Sequence, residues 1–468
     1  MATPTTSNPF SPEEAQRILH GLQQPAVFLN MTGGWPVRRW SAEHLSGCLG
    51  DRTTRFRLGR KDEANTPLFE TQCSYVEARL GQFLSWAGGQ AGTDVGPFSD
   101  YPSSEYWAYA DYKYIATLFQ DQPSMFEDVM WSEFGFSGRN GRQSTLWIGT
   151  EGANTPCHLD SYGCNLVLQV QGRKRWHLFP PEDAANLYPT RIPYEESSVF
   201  SQVDVLKPDL KRFPAFRRAR HHAVTLQPGQ VLYVPRHWWH YVESVDPVTV
   251  SVNSWIELET DDEARVGEAV TKAVVLALKT TPSDYNADNW LNPTEEGVTS
   301  HDENMQYVNL ALRACAERQR CRQTSGLREP RPVKRDSGGR ARKSGDLSGE
   351  SVPFIVSFGP HLIPVRCEQK DSPENLAIRS SLKCAIKSQS GGEVRPSAGC
   401  EATHDCSPVS DQCRACASVE DDETEDSGYT PITTNDLLDC LVHPDIITRV
   451  SELLLERQRG ANKTTKAS

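Results

Sequence analysis

Thr155-Pro156-Cys157-His158-Leu159-Asp160 and, eighty residues further on, Pro235-Arg236-His237-Trp238-Trp239-His240 decide the reading of this chain. On an extended strand successive side chains alternate between faces, so His158 and Asp160 share one face while Leu159 points the other way. A histidine from a second strand, His240, completes two imidazoles and one carboxylate on one side of a metal and leaves the opposite positions open. That donor set suits non-haem Fe(II). His237 is the competing third ligand in the same segment.

The runs around these motifs are short, apolar and punctuated by turn residues, as strands are. Leu146 to Gly149, Asn165 to Val170, a Gln171-Gly172 turn and Arg173 to Phe179 precede a Pro228-Gly229 turn and Val231 to Pro235. Val248 to Trp255 alternates apolar with polar residues, the pattern of a half-buried strand. Such spacing predicts a mainly β fold, a double-sheet jelly roll or double-stranded β-helix with the metal inside and helices at its flanks.

With these residues in place, the chain resembles the JmjC dioxygenases, a cupin-like family that uses Fe(II), 2-oxoglutarate and O2. The resemblance covers Pro25 to Glu257 and rests on Thr155-Pro156, His158-x-Asp160, Asn165, Gly172-Arg173-Lys174, Phe179-Pro180-Pro181, Pro228-Gly229, Trp238-Trp239-His240 and Asn253-x-Trp255. It implies that Thr155 and Lys174 bind the distal carboxylate of 2-oxoglutarate and that Asn165 and Asn253 line its pocket. It also implies an upstream tyrosine, with Tyr114 the aligned choice and Tyr112 the alternative. Asp160 stands where many demethylases of the family carry Glu, which leans the expectation toward protein hydroxylation. One extra residue between Asp160 and Asn165 predicts a bulge or loop beside the metal. Over its whole length the chain is similar to a branch of the family associated with the small heat-shock protein of 27 kDa, which implies that protein as a cytoplasmic partner, and a scaffold role as the alternative to catalysis. A protein substrate is implied without being named.

Outside that region the composition changes. The 468 residues carry a net charge of −12, yet residues 313 to 343 are rich in Arg and Lys, and Glu420 to Asp426 is an acidic block. Residues 323–430 hold too little apolar surface to offset chain entropy, so a disordered linker is expected there, with a short strand at Val352 to Val356 and little buried surface contributed beyond residue 322. The basic run Lys334 to Lys343 reads as a solvated linker rather than a nucleic-acid patch; nuclear import is its alternative role. Met1 to Pro12 lacks the regions of a signal peptide and no apolar run is long enough to span a membrane, so the thirteen cysteines are expected as thiols in the cytoplasm. Cys400, His404, Cys406, Cys413 and Cys416 include one Cys-x-x-Cys, a weak zinc signal.

The expected organisation is an N-terminal segment (1–24) with a helix capped at Ser11, the cupin-like domain (25–260), a helical extension (261–322), the linker (323–430) and a C-terminal helical segment (431–468) interrupted at Pro444. The apolar faces of residues 261–279 and 302–323 predict helices that either cover the barrel end or form a homodimer contact.

Overall fold

The computed structural model describes residues 8–61, 66–89, 92–281, 290–295, 297–324, 356–368 and 432–464. Contacts divide the chain into two units, Met1–Glu368 with Thr433–Ser468, and Gln369–Ile432. The first unit carries everything that follows. The acidic block, the basic run and the candidate zinc residues lie outside the described residues.

Two antiparallel sheets face one another, as the jelly-roll expectation requires. The nine-stranded sheet is ordered β15-β1-β12-β7-β14-β5-β4-β2-β3. Its strands are β1 (Ala26–Phe28), β2 (Thr53–Arg60), β3 (Ser74–Arg79), β4 (Tyr106–Tyr114), β5 (Thr145–Thr150), β7 (Cys164–Gln171), β12 (Val231–Val234), β14 (Val248–Ile256) and β15 (Leu362–Pro364). The six-stranded sheet is ordered β11-β8-β13-β6-β10-β9. It contains β6 (Asn154–Asp160), β8 (Lys174–Phe179), β9 (Pro189–Glu195), β10 (Ser198–Ser201), β11 (His222–Leu226) and β13 (Trp239–Ser244).

The outer face of the larger sheet is not solvated. Helices α1 (Pro12–Gly21), α2 (Ala42–Leu49), α3 (Leu80–Ala87) and the short α4 (Ile115–Leu118) accompany it in sequence, and α1 begins as expected, with the Ser11 hydroxyl accepting from the Glu14 N–H at 3.2 Å. Leu166, Leu168, Val250 and Val252 share one apolar cluster with Trp40, Trp131 and Phe134 of this layer. The alternation in β14 therefore has a different cause from the half-buried strand expected: both faces are buried, the apolar residues against the helical layer, and Thr249, Ser251 and Asn253 opposite them. The polar face looks into the barrel.

β15, at Leu362–Pro364, lies inside the stretch expected to be disordered; of the short strand expected at Val352–Val356, residues 352–355 are outside the described set. It extends the sheet beside β1, with Ile363 opposite Val27, and buries Leu362 and Val365. Its outer edge offers little to a further strand. Leu362 exchanges both backbone bonds with Gly359 (3.1 and 3.2 Å), and Pro364 has no N–H, so the edge is blunted.

After the barrel come α5 (Asp261–Lys279), α6 (His301–Thr324), α7 (Thr434–Leu441) and α8 (Pro444–Thr464). Val266 of α5 packs with Val308, Leu312 and Cys315 of α6 and Leu455 of α8, and Val270 and Val275 with Leu438, Val442 and Ile447. These faces meet within one chain. Glu268 fixes α5 to the barrel: Arg191 donates to both its oxygens at 2.7 Å, and the Ser197 N–H and Ser161 hydroxyl donate at 2.9 and 3.0 Å.

Candidate functional site

The metal motif is assembled by register. β6 and β13 are neighbours, and His240 stands directly opposite His158, so both imidazoles and Asp160 occupy the same face of the smaller sheet. His158 Nε2 lies 3.7 Å from Asp160 Oδ1 and His240 Nε2 3.9 Å from Asp160 Oδ2. One donor atom from each lies within 4.8 Å of the others, and this is the single such cluster found among the described residues. Each ring turns its other nitrogen to a carbonyl: His158 Nδ1 to Pro156 O at 2.8 Å, His240 Nδ1 to Trp238 O at 2.9 Å. A carbonyl only accepts, so Nδ1 carries the proton and the Nε2 lone pairs face the cluster. Burial, reinforced by the neighbouring His240, pushes the His158 pKa down and keeps that ring neutral. His237 is not part of the group; it has a left-handed backbone (φ 63°) and its Nε2 lies near Arg236 Nε and Ser161 O.

Lys174 opens β8 and is 2 % exposed. Its ammonium donates to the Tyr109 hydroxyl at 3.0 Å and the Ser251 hydroxyl at 2.8 Å. Both are neutral partners, and burial pushes the Lys174 pKa down to about 7, with Asp111 opposing the shift. A buried amine held by hydroxyls suits an incoming carboxylate. Thr155 bonds the same tyrosine hydroxyl. Asn165 and Asn253 are buried, and the side-chain oxygen of each has no hydrogen-bond partner. Lys174, Thr155, both asparagines, Tyr109, His158 and His240 line one cavity with Tyr112, Trp147 and Trp255. The donor types fit a metal at the His-Asp-His cluster and a dicarboxylate reaching from it to Lys174. The free space of the cavity is about 30 Å³, enough for a few waters, each of which needs roughly 10–15 Å³.

Of the residues chosen from sequence, His158, Asp160, His240, Thr155, Lys174, Asn165 and Asn253 come together. Tyr114 does not: it is 63 % exposed at the end of β4. The tyrosine beside Lys174 is Tyr109. A bulge between Ala110 and Lys113, with Tyr112 at φ 51°, breaks the alternation along β4, so face parity counted across it fails. A usable signal stood in Gly149, a strand glycine opposite Tyr109 where a Cβ would lie 2.9 Å from the tyrosine ring. Ser251 and the Trp255 indole, which donates to Asp160 Oδ2 at 3.1 Å, were also missed. The extra residue after Asp160 is absorbed in the tight β6–β7 turn, where Gly163 (φ 62°) packs against Ile256 O.

A cupin-like domain family model matches residues 12–262. The chain is 57 % identical over 455 residues to the HSPB1-associated protein 1 homolog of Danio rerio, covering 97 % of this chain and 99 % of that protein. The chain belongs to the HSPB1-associated protein 1 family of cupin-like (JmjC) proteins. HSPB1-associated protein 1 of Homo sapiens is 50 % identical over 469 residues, 96 % of this chain and 94 % of that protein. The lysine-specific demethylase 8 of Xenopus tropicalis is 28 % identical over 240 residues, 50 % of this chain and 48 % of its own length.

Proposed function

We propose that this protein is an Fe(II)- and 2-oxoglutarate-dependent protein hydroxylase that works in the cytoplasm in association with a small heat-shock protein, the association taken from the names of its HSPB1-associated relatives. The observation that carries the reading is the cavity in which Lys174, buried without a carboxylate partner, faces a neutral-imidazole and carboxylate donor set. His158, Asp160 and His240 would hold the metal; Lys174 and Thr155 would bind the distal carboxylate, with Asn165 and Asn253 at the cavity wall. Bound together, iron and 2-oxoglutarate supply oxidation by O2, in which one oxygen atom enters succinate as CO2 leaves and the other enters a C–H bond of the substrate. The chain's own residues position these groups, hold the imidazole protons on Nδ1 and wall the pocket with Tyr109, Tyr112, Trp147 and Trp255.

The test is anaerobic titration of the purified full chain with Fe(II), then measurement of 2-oxoglutarate turnover to succinate without protein substrate. One iron per chain, lost in His240→Ala and kept in His237→Ala, is the expected outcome. Absence of stoichiometric iron in the unaltered protein overturns the reading. A partner-binding role for the C-terminal helices has an observation of its own: Leu437, Leu441, Ile446 and Leu453 are exposed on α7 and α8. Capture of the small heat-shock protein by the full chain, lost when these four residues become Gln while succinate output is unchanged, would place binding and chemistry on separate parts of the molecule.

A further inference from the structure

Trp255 is quoted in the Asn253-x-Trp255 motif, yet nothing in the ligand set requires a tryptophan there. β14 places it opposite Asn165 of β7, on the face that carries Asn253 and Ser251. Its indole N–H reaches across the barrel to Asp160 Oδ2 at 3.1 Å. Trp255 is itself held from outside: Arg139 donates to its carbonyl at 2.9 Å and to the neighbouring Ser254 hydroxyl at 3.1 Å, and is paired with Glu257. Trp147 flanks the ring at 6.4 Å between centroids. The rest of the ligand set is oriented comparably, since each histidine is fixed through Nδ1 by a carbonyl two residues earlier. Asp160, which is less buried than either histidine, owes its orientation to this indole.

We infer that Trp255 is a positioning residue for the metal centre: its N–H engages one oxygen of Asp160, so that the carboxylate offers the metal its other oxygen alone. This rests on the proposed reading of the cluster as a metal site. The consequence is coordination number. A carboxylate whose second oxygen is tied to a donor binds through one atom and leaves a position for cosubstrate and oxygen; released, it can swing to bind through both and occupy that position.

Co(II), whose visible absorption falls in intensity as coordination number rises, is the probe. Metal-free full-length protein is titrated with Co(II), as the unaltered chain, as Trp255→Phe, and with Trp255 replaced by benzothienylalanine, which keeps the bicyclic shape and lacks the N–H. Both replacements are expected to weaken Co(II) binding about 10- to 100-fold, the range for loss of an outer-shell partner, and to lower the absorption per bound metal. Melting of the metal-free protein should fall by no more than the loss of one hydrogen bond in the benzothienyl form and further in Trp255→Phe, which separates positioning from packing. Equal affinity and equal spectra in unaltered and benzothienyl proteins overturn the inference while leaving the metal site intact. If the unaltered chain takes up no stoichiometric Co(II), the reading of the cluster itself fails, and this inference with it.

Discussion

Replacing Lys174 by Met should stabilise the ligand-free protein and weaken its affinity for a dicarboxylate. The Lys174 pKa is pushed down to about 7 from the ordinary 10.5 by burial; at 1.36 kcal/mol per pH unit the difference corresponds to roughly 5 kcal/mol of folding free energy lost at neutral pH. Met fills a similar volume, but leaves the Tyr109 and Ser251 hydroxyls without the amine they now contact, at about 1–2 kcal/mol. The net expectation is a gain of about 3 kcal/mol near pH 7. Its pH dependence carries a sign. Between pH 7 and 10.5 the unfolded chain binds a proton at this lysine that the folded chain does not, so the stability of the unaltered protein rises with pH across that window, and the advantage of Met shrinks and finally reverses to the deficit of about 1–2 kcal/mol left by the two hydroxyls. Below pH 7 the advantage is constant. Urea unfolding of both proteins at pH 6.5, 8 and 9.5 reads the difference directly, and loss of a charge-assisted contact of about 1.5–3 kcal/mol should raise the 2-oxoglutarate dissociation constant roughly 10- to 150-fold. A difference in stability that does not vary with pH, or a Met variant less stable throughout, would refute the claim that Lys174 is held against its ionisation for a ligand.

The same lysine predicts proton uptake on binding: at pH 8 it is mostly neutral, a carboxylate beside it favours the ammonium, and calorimetry of 2-oxoglutarate binding in buffers of different ionisation enthalpy should show close to one proton taken up, falling at pH 6. Glu268→Gln leaves Arg191 buried with its partner's charge gone, and should destabilise the protein by about 3–5 kcal/mol; thermal melting checks it, and a change under 1 kcal/mol would mean that water reaches the pair. A chain ending after residue 322 loses Leu362, Val365, Leu438, Val442, Ile447 and Leu455 from the buried set, on the order of 10 kcal/mol of apolar burial. Four of these six lie in the C-terminal helical segment and two at residues 362 and 365, so the truncated chain should aggregate or melt far earlier in light scattering and calorimetry.

The sequence by itself carried two members of the candidate metal cluster because their spacing is local. His158 and Asp160 are two residues apart on one strand, and period-2 geometry alone puts them together. It also carried the barrel, through short apolar runs between turns, and the helices after it, through their apolar periodicity. What it left open depends on which strand lies beside which. That His240 and not His237 completes the cluster follows from the pairing of β13 with β6, which sets His240 across from His158. That Tyr109 and not Tyr114 meets Lys174 follows from place along β4, Tyr109 lying mid-strand opposite Gly149 and Tyr114 exposed at the strand's end, which residue type does not reveal because tyrosine recurs at 106, 109, 112 and 114. The polar face of β14 read as solvent-facing because burial of a polar residue is decided by the partners that satisfy it, here Lys174 for Ser251 and Asp160 for Trp255. β15 escaped composition altogether: three residues within a polar stretch become a strand because β1 offers an open edge and two buried side chains suffice to hold them there.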